Sequence, residues 1–353
     1  MRASSRAASP STAVTSAPTG RATLADVAAS AGVSVATVSK VLNGRSDVSA
    51  STRARVLELL NRHDYVGRRP DPVEAPTVEL FFQGELTSYS TEVIQGVLDE
   101  ASELDVSVVL SVRAAGSSGS APASWAREAA AAGRRAVIGV TNEMTERDLA
   151  ALNRVRLPMV VIDPLNTPQA RMASVGSTNF AGGIAATQHL LSLGHRRIAY
   201  LGGPAQAGCN QARMLGFRGA MEAAGAEVPA GYVRTGPFRY EEGVRGGYAV
   251  FDLPTPPTAV FAGNDELALG VIEAARSRGL RVPEDLSVVG FDDTQVARLS
   301  SPPLTTVRQP LREMGAVALR TALRLASGGK VDSHHVELAT ELVVRRSTCP
   351  LRD

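Results

Sequence analysis

The sequence predicts a small all-α helix-turn-helix domain followed by an α/β body with parallel sheets. Three observations carry that prediction. Residues 23–44, TLADVAASAGVSVATVSKVLNG, hold two short amphipathic segments split by a glycine. From residue 78 onward, apolar runs of strand length alternate with helical patterns, the order that builds a parallel sheet flanked by helices. Charge is divided unevenly. Residues 1–69 carry ten bases against four acids, a net of +6, so within the total of +2 the remainder holds −4. A basic head on an acidic body suits a head that meets phosphates and a body that does something else.

In the head, Leu24, Val27, Ala28 and Ala31 recur at helical spacing and give a first helix with one apolar face. Thr23 with Asp26 three residues on fits a capping box, and Gly32 ends the helix. Val33-Ser34 is too short for antiparallel packing, so the next helix leaves at a steep angle. Ser34 caps that second helix, whose inner face is Val38 and Leu42, with Val41 beside it. Its outer face carries Val35, Ala36, Thr37, Ser39 and Lys40. Small residues there let a helix sit deep in a major groove, where methyls meet thymine methyls and hydroxyls reach phosphates or base edges. Lys40 can reach a guanine edge or a phosphate. Thr23, Ser34, Asn43 and Arg53 complete the expected contacts with double-stranded DNA. The bland alternative is a helical hairpin within some larger core, and it makes both caps, the glycine turn and the polar outer face accidental. A third helix starts at Ser49 and packs Val56, Leu59 and Leu60 back on the first two, with Tyr65 closing the domain. Arg53 and Arg55 lie along a DNA backbone or are plain solvated charges.

Length and composition set outer limits. At 353 residues more than one compact unit is expected. No apolar stretch reaches membrane length, and residues 1–21, rich in Ser, Ala, Pro and Thr, lack the apolar core of a secretory signal, so they read as a disordered tail. Cys209 and Cys349 are too few for a disulfide framework and have no metal-ligand spacing. A cytoplasmic protein with no metal and no cofactor is expected. The domains are then a tail at 1–21, a DNA-binding domain at 22–66, a Pro-rich linker at 67–76 and an effector-binding body at 77–348.

Along the body the patterns predict strands at 78–82, 106–112, 136–140, 159–163, 197–202, 232–235, 259–262 and 287–291. Helices are predicted at 91–104, 125–132, 149–155, 182–193, 213–224, 240–253 and 266–278. Residues 116–124 form a flexible loop by composition. One sheet or two is left open by the pattern alone. Ligands of such sheets bind at the carboxyl ends of the strands. Asp163 ends one strand, Asn264 and Asp265 another, and Asp292 and Asp293 a third, which is what a polyhydroxylated ligand needs: carboxylates accept hydroxyl protons, and Asn donates and accepts. Arg213, expected to open a helix after the Gly202-Gly203-Pro204 turn, offers a rigid fork of donors. Phe238 offers a flat face to a sugar ring. Asp265 and Asp293 read as caps or loop anchors. Asp163 and Asn264 are alternatively turn residues, and Arg213 and Asp292 alternatively pair with each other.

Catalysis finds no support. His63, His189, His195, His334 and His335 are scattered without a nucleophile and orienting acid in a recognisable motif, and His195 looks like a helix C-terminal cap feature. The 202–204 turn lacks the glycine pattern and downstream acid of a dinucleotide site, and Gly182-Gly183 reads as close packing.

The strings LADVAASAGVSVATVSKVLNG, FAGNDELALG, VPEDLSVVGFDD and PPLTTVRQP, in this order, resemble the lac repressor family of bacterial transcription regulators over about residues 23–348. The resemblance implies a two-lobed body like periplasmic sugar-binding proteins, with a first lobe at about 77–164 and 295–322 and a second at about 165–294 and 323–348. It matches Asp163, Arg213, Phe238, Asn264 and Asp292 to effector-binding positions, with Ser88, Tyr89 and Ser90 facing the same crevice. It implies a homodimer on a pseudopalindromic operator, paired through first-lobe helices such as 92–101. No heptads follow Thr348 to favour a tetramer. The expected function is repression of carbohydrate uptake or catabolism genes under a sugar-like effector, inducer or corepressor. The alternatives are a solute-binding or sugar-processing body with an incidental head, or an architectural DNA binder. The linker departs from the family: it lacks the Asn-x-x-Ala-Arg-x-Leu hinge segment, and Pro70, Pro72 and Pro76 oppose a helix, leaving Arg68 and Arg69 to reach phosphates or a narrow minor groove.

Overall fold

In a computed structural model the described residues are 23–42, 45, 48–62, 75–113, 122–166 and 172–352. The expected tail, Asn43, Tyr65, Arg68, Arg69, nearly all of the linker and most of the 116–124 loop lie outside them. The chain divides into two compact units, residues 1–74 and 75–353.

The first unit holds α1 (Leu24–Ala31), α2 (Val35–Leu42) and α3 (Ala50–Arg62). The capping box forms as the sequence requires. The Thr23 amide donates to Asp26 Oδ2 at 2.7 Å and the Asp26 amide to Thr23 Oγ1 at 3.3 Å. Gly32 closes α1 with φ 66°, the left-handed conformation that glycine adopts without a Cβ penalty. Ser34 Oγ accepts from the Thr37 amide at 3.1 Å and so starts α2. The axes of α1 and α2 are bent by 100°, the steep exit the short turn demands. Val27, Ala28, Ala31, Val38, Val41, Val56 and Leu60 are buried together as this unit's core. Val41, expected only beside the inner face, belongs to that core.

The second unit contains two six-stranded sheets. The first runs β2 (Ser107–Arg113), β1 (Thr77–Gln83), β3 (Arg134–Val140), β4 (Met159–Ile162), β5 (Ala173–Ser177) and β11 (His335–Leu338), all neighbours parallel. The second runs β7 (Val233–Thr235), β6 (Ile198–Gly202), β8 (Ala259–Ala262), β9 (Ser287–Asp292), β10 (Thr305–Arg308) and β12 (Glu341–Val343), with only the last pair antiparallel. Helices cover both faces of each. In the first lobe α4 (Ser88–Glu103) and α12 (Leu311–Ala326) bury one apolar cluster, and α5 (Pro122–Ala131) and α6 (Glu146–Arg154) the other. In the second, α9 (Tyr240–Phe251) and α10 (Asp265–Ser277) oppose α7 (Asn179–Ser192) and α8 (Gly208–Ala223), and the short α11 (Gln295–Leu299) precedes β10. Strands buried on both faces explain the near-continuous apolar runs in the sequence.

The chain crosses between sheets three times, and this corrects the expected lobe limits. The strand β5 belongs to the first sheet, α11 and β10 belong to the second, and α12 with β11 returns to the first. The Ala173–Ser177 strand is absent from the predicted set because Ala, Ser and Gly give it no β-type signature; parallel neighbours on both sides hold it instead. The crossings are tied together. Ser177 Oγ donates to Gln309 Oε1 at 2.5 Å, the Thr340 amide donates to Thr178 Oγ1 at 3.0 Å, and the Thr178 amide to the Leu338 carbonyl at 2.9 Å. Among the described residues no single helix is long and apolar enough to cross a membrane.

Candidate functional site

In the first unit the outer face of α2 is presented to solvent. Ser34, Val35, Ala36 and Lys40 are exposed, Thr37 and Ser39 are half-buried, and Val38 faces the core at 0 % exposure. Thr23 is exposed at the start of α1. The Arg53 guanidinium donates to the Arg45 carbonyl, so it braces the segment before α3.

In the second unit a cavity of about 230 Å³ lies between the two lobes. It brings together Tyr89, Ser90, Asp163, Arg213, Phe238, Asn264 and Asp292, seven of the eight residues expected at the crevice. A larger groove of about 540 Å³ also reaches Asp163 and Cys209, and of those eight it contains only Asp163. The smaller cavity is therefore the candidate site. Ser88 does not line it: its amide (3.2 Å) and hydroxyl (2.7 Å) both donate to Glu266 Oε1 on α10, so it fastens the first lobe to the second.

Each side chain is aimed by the fold. Asp163 follows β4 with φ 44°, a left-handed bend at the strand's end, and accepts from the Tyr89 hydroxyl at 2.7 Å on Oδ2. Arg213 lies within α8 rather than at its start, because the helix already begins at Gly208. Its Nε donates to Asn179 Oδ1 at 2.7 Å and an amino nitrogen to the Gly263 carbonyl at 2.6 Å, while the guanidinium lies 3.8 Å from the centre of the Phe291 ring. The same amino nitrogen is 3.8 Å from Asp292 Oδ1, so the pairing left open by the sequence is long. Asp292 sits at the end of β9 with φ 114° and accepts from Gln309 Nε2 at 2.6 Å. Asn264 spends its carbonyl oxygen on the Leu267 amide at 2.9 Å, leaving its NH2 for the cavity. Glycine explains the place of Phe238: a Cβ on Gly203 would lie 2.1 Å from that ring. Likewise a Cβ on Gly183 would lie 2.4 Å from the Arg213 carbonyl, so the Gly182-Gly183 pair is close packing.

Asn179 and Gln309 orient the two charged groups, and neither is among the residues the sequence singles out. Gln309 stands within PPLTTVRQP, but its function depends on a crossing that pattern does not reveal. Asp265 and Asp293 are anchors, as expected. Asp265 accepts from Thr294 and Thr306, and Asp293 from Arg308 and Arg345. The His195 amide closes a Schellman turn on the Leu190 carbonyl, and its ring lies within 3.0 Å of both Thr258 and Ser287 hydroxyls.

Burial raises the carboxyls of Asp163 and Asp292 above the usual range. The Tyr89 hydrogen bond and then Arg213 oppose this at Asp163, and Arg213 opposes it at Asp292. Each holds its proton more tightly folded than unfolded. Stability from that proton is complete below the unfolded pKa and is lost as pH rises through the folded one. A ligand that donates hydroxyl protons needs the ionised forms, so binding releases protons. Its affinity is expected to fall as the pH is lowered and these carboxyls take up protons. Calorimetry of a bound sugar in buffers of different ionisation enthalpy checks this; proton uptake is the opposite result.

Residues 23–67 match the family described as bacterial regulatory proteins, lacI family, and residues 187–348 the periplasmic binding protein-like domain. The chain is 34% identical to the HTH-type transcriptional regulator DegA of Bacillus subtilis, over 94% of this chain and 99% of that protein. Among solved structures it is similar to the transcriptional regulator CelR in complex with cellobiose, with a TM-score of 0.70 and 32% identity over 93% of this chain and 100% of that one. It is similar too to the lac repressor dimer bound to operator and the anti-inducer ONPF, with a TM-score of 0.76 and 27% identity over 94% of this chain and 100% of that one.

Proposed function

Since the chain belongs to the lacI family of bacterial transcription regulators, we propose that it is a cytoplasmic repressor of carbohydrate uptake or catabolism genes, a homodimer whose operator affinity is set by a small sugar in the interlobe cavity. The observation that carries the sugar is the cavity's donor and acceptor set. Two carboxylates, the Asn264 amide and an oriented guanidinium surround about 230 Å³ beside the Phe238 ring. Carboxylates and Arg grip paired hydroxyls, and an aromatic face takes the C–H side of the ring. One head spans too few base pairs to select a site in a genome, so two are needed. Leu98 on α4 and Leu110 and Val112 on the edge strand β2 are exposed apolar side chains of the first lobe, which supports self-pairing there. Glu92, at the start of the helix expected to pair, is already engaged within the unit by Arg312 at 2.7 Å.

Control follows from linkage: a sugar that prefers one arrangement of the lobes changes operator affinity only by that preference. Titration of the purified protein with a panel of mono- and disaccharides tests the sugar class, and failure of every sugar removes it. Lys40→Ala is expected to weaken specific operator binding by about 1–3 kcal/mol, roughly 5- to 150-fold, with sugar affinity unchanged. Binding assays on operator and random DNA check this. Equal losses on both reduce Lys40 to a phosphate contact.

A further inference from the structure

The first lobe contains a second cavity, of about 170 Å³, on the α5–α6 side of its sheet. Phe81, Trp125, Met144 and Met159, each at most 9 % exposed, form its apolar side, and Gln83, Asn142, Glu143 and Asp148 its polar side. Of the four polar side chains only Asn142 is buried. Asn142 is 2 % exposed, and neither its Nδ2 nor its Oδ1 has a hydrogen-bond partner. Leaving both halves of a buried carboxamide unmatched is costly, and proteins avoid it unless something else supplies the partners. Because both atoms are unmatched, the conclusion is the same whichever way the amide is turned.

The second cavity shares Gln83 with the interlobe site and is otherwise set apart from it by alternation along the chain. On β1, Phe82 lines the interlobe cavity and Phe81 the second one. After β3, Thr141, at φ 50°, lines the first and Asn142 the second. The segment is pinned, since Asn166 Nδ2 donates to the Met144 carbonyl at 2.9 Å and the Leu165 amide to the Asn142 carbonyl at 3.3 Å.

We propose that this cavity is a binding site for a neutral, planar, single-ring molecule bearing a carboxamide or lactam edge. Such an edge carries a donor and an acceptor side by side and satisfies both orphaned atoms of Asn142 at once. A benzene ring fits a cavity of about 150 Å³, so the volume suits one ring. Glu143 and Asp148, which also line it, with no base among the lining residues, repel an anion.

The chain's only tryptophan, Trp125, lines the cavity and reports on it. Benzamide added to the full-length protein is expected to change Trp125 fluorescence saturably, while benzoate does not. Asn142→Ala is expected to weaken benzamide at least about tenfold and to melt no lower than the parent, because it removes only an unmatched polar group. Crystals soaked with 4-bromobenzamide are expected to show the anomalous bromine peak beside Asn142. A titration without saturation, equal affinity in Asn142→Ala, a lower melting temperature for that variant, or a bromine peak in the interlobe cavity overturns the proposal.

Discussion

Replacing Asp292 by Ala is expected to abolish the response to the sugar while leaving operator binding intact. Asp292 is 4 % exposed, at the point where β9 ends, between the Gln309 amide and the Arg213 guanidinium. Two losses combine. A carboxylate that accepts ligand hydroxyls contributes about 1.5–3 kcal/mol for each charge-assisted bond. Its removal also leaves Arg213 buried with one anion fewer, a loss that falls on folding stability, where breaking a buried pair costs about 3–5 kcal/mol in general. At a separation of 3.8 Å the second term is at the lower end. Sugar affinity is expected to fall by at least about 100-fold, since every 1.4 kcal/mol is tenfold. Calorimetric titration measures it, and an unaltered sugar response refutes the assignment. Asp292→Asn separates the charge from the packing: if charge dominates, it loses nearly as much as Ala.

Ala36→Asp is expected to have the converse effect, loss of operator binding with sugar affinity preserved. Ala36 is exposed on the outer face of α2, one turn from Lys40, and touches none of the head's buried core. The substitution therefore leaves the fold of α1, α2 and α3 in place. It puts a carboxylate where the groove edges and phosphates are expected, and like-charge juxtaposition costs several kcal/mol. A drop of roughly 100- to 1,000-fold in specific binding is expected, with non-specific binding weakened as well because the phosphate term carries it. Gel-shift titration on a genomic fragment captured by the purified parent protein, and on random DNA, checks both, and undiminished affinity removes α2 from the groove.

The head is legible in the sequence because its signals are local: Thr23 and Asp26 cap within four residues, Gly32 needs a left-handed φ, and Val27, Ala28 and Val38 mark faces by spacing alone. Asp163, Asn264 and Asp292 are legible because strand ends in parallel sheets converge on ligands. The remainder depends on contacts distant in sequence. Whether β5, β10 and β11 join the first sheet or the second depends on three crossings, and short strands such as Ala173–Ser177 carry no periodicity to show it. Arg213 reads as a helix start from the Gly202-Gly203-Pro204 turn ahead of it, although α8 already begins at Gly208. Ser88 reads as a cavity residue from its neighbours, but its partner, Glu266, is 178 residues away. Asn179 and Gln309, which aim the charged pair, lie beside crossings and have no local signature.

The most direct measurement is operator affinity of the intact protein, with and without the sugar that its titration identifies, in the parent and in Asp292→Ala. The proposed mechanism predicts a shift in the parent, the same factor when sugar affinity is measured with and without operator, and no shift in the variant. A sugar that binds yet leaves operator affinity unchanged, or shifts it equally in Asp292→Ala, would contradict it.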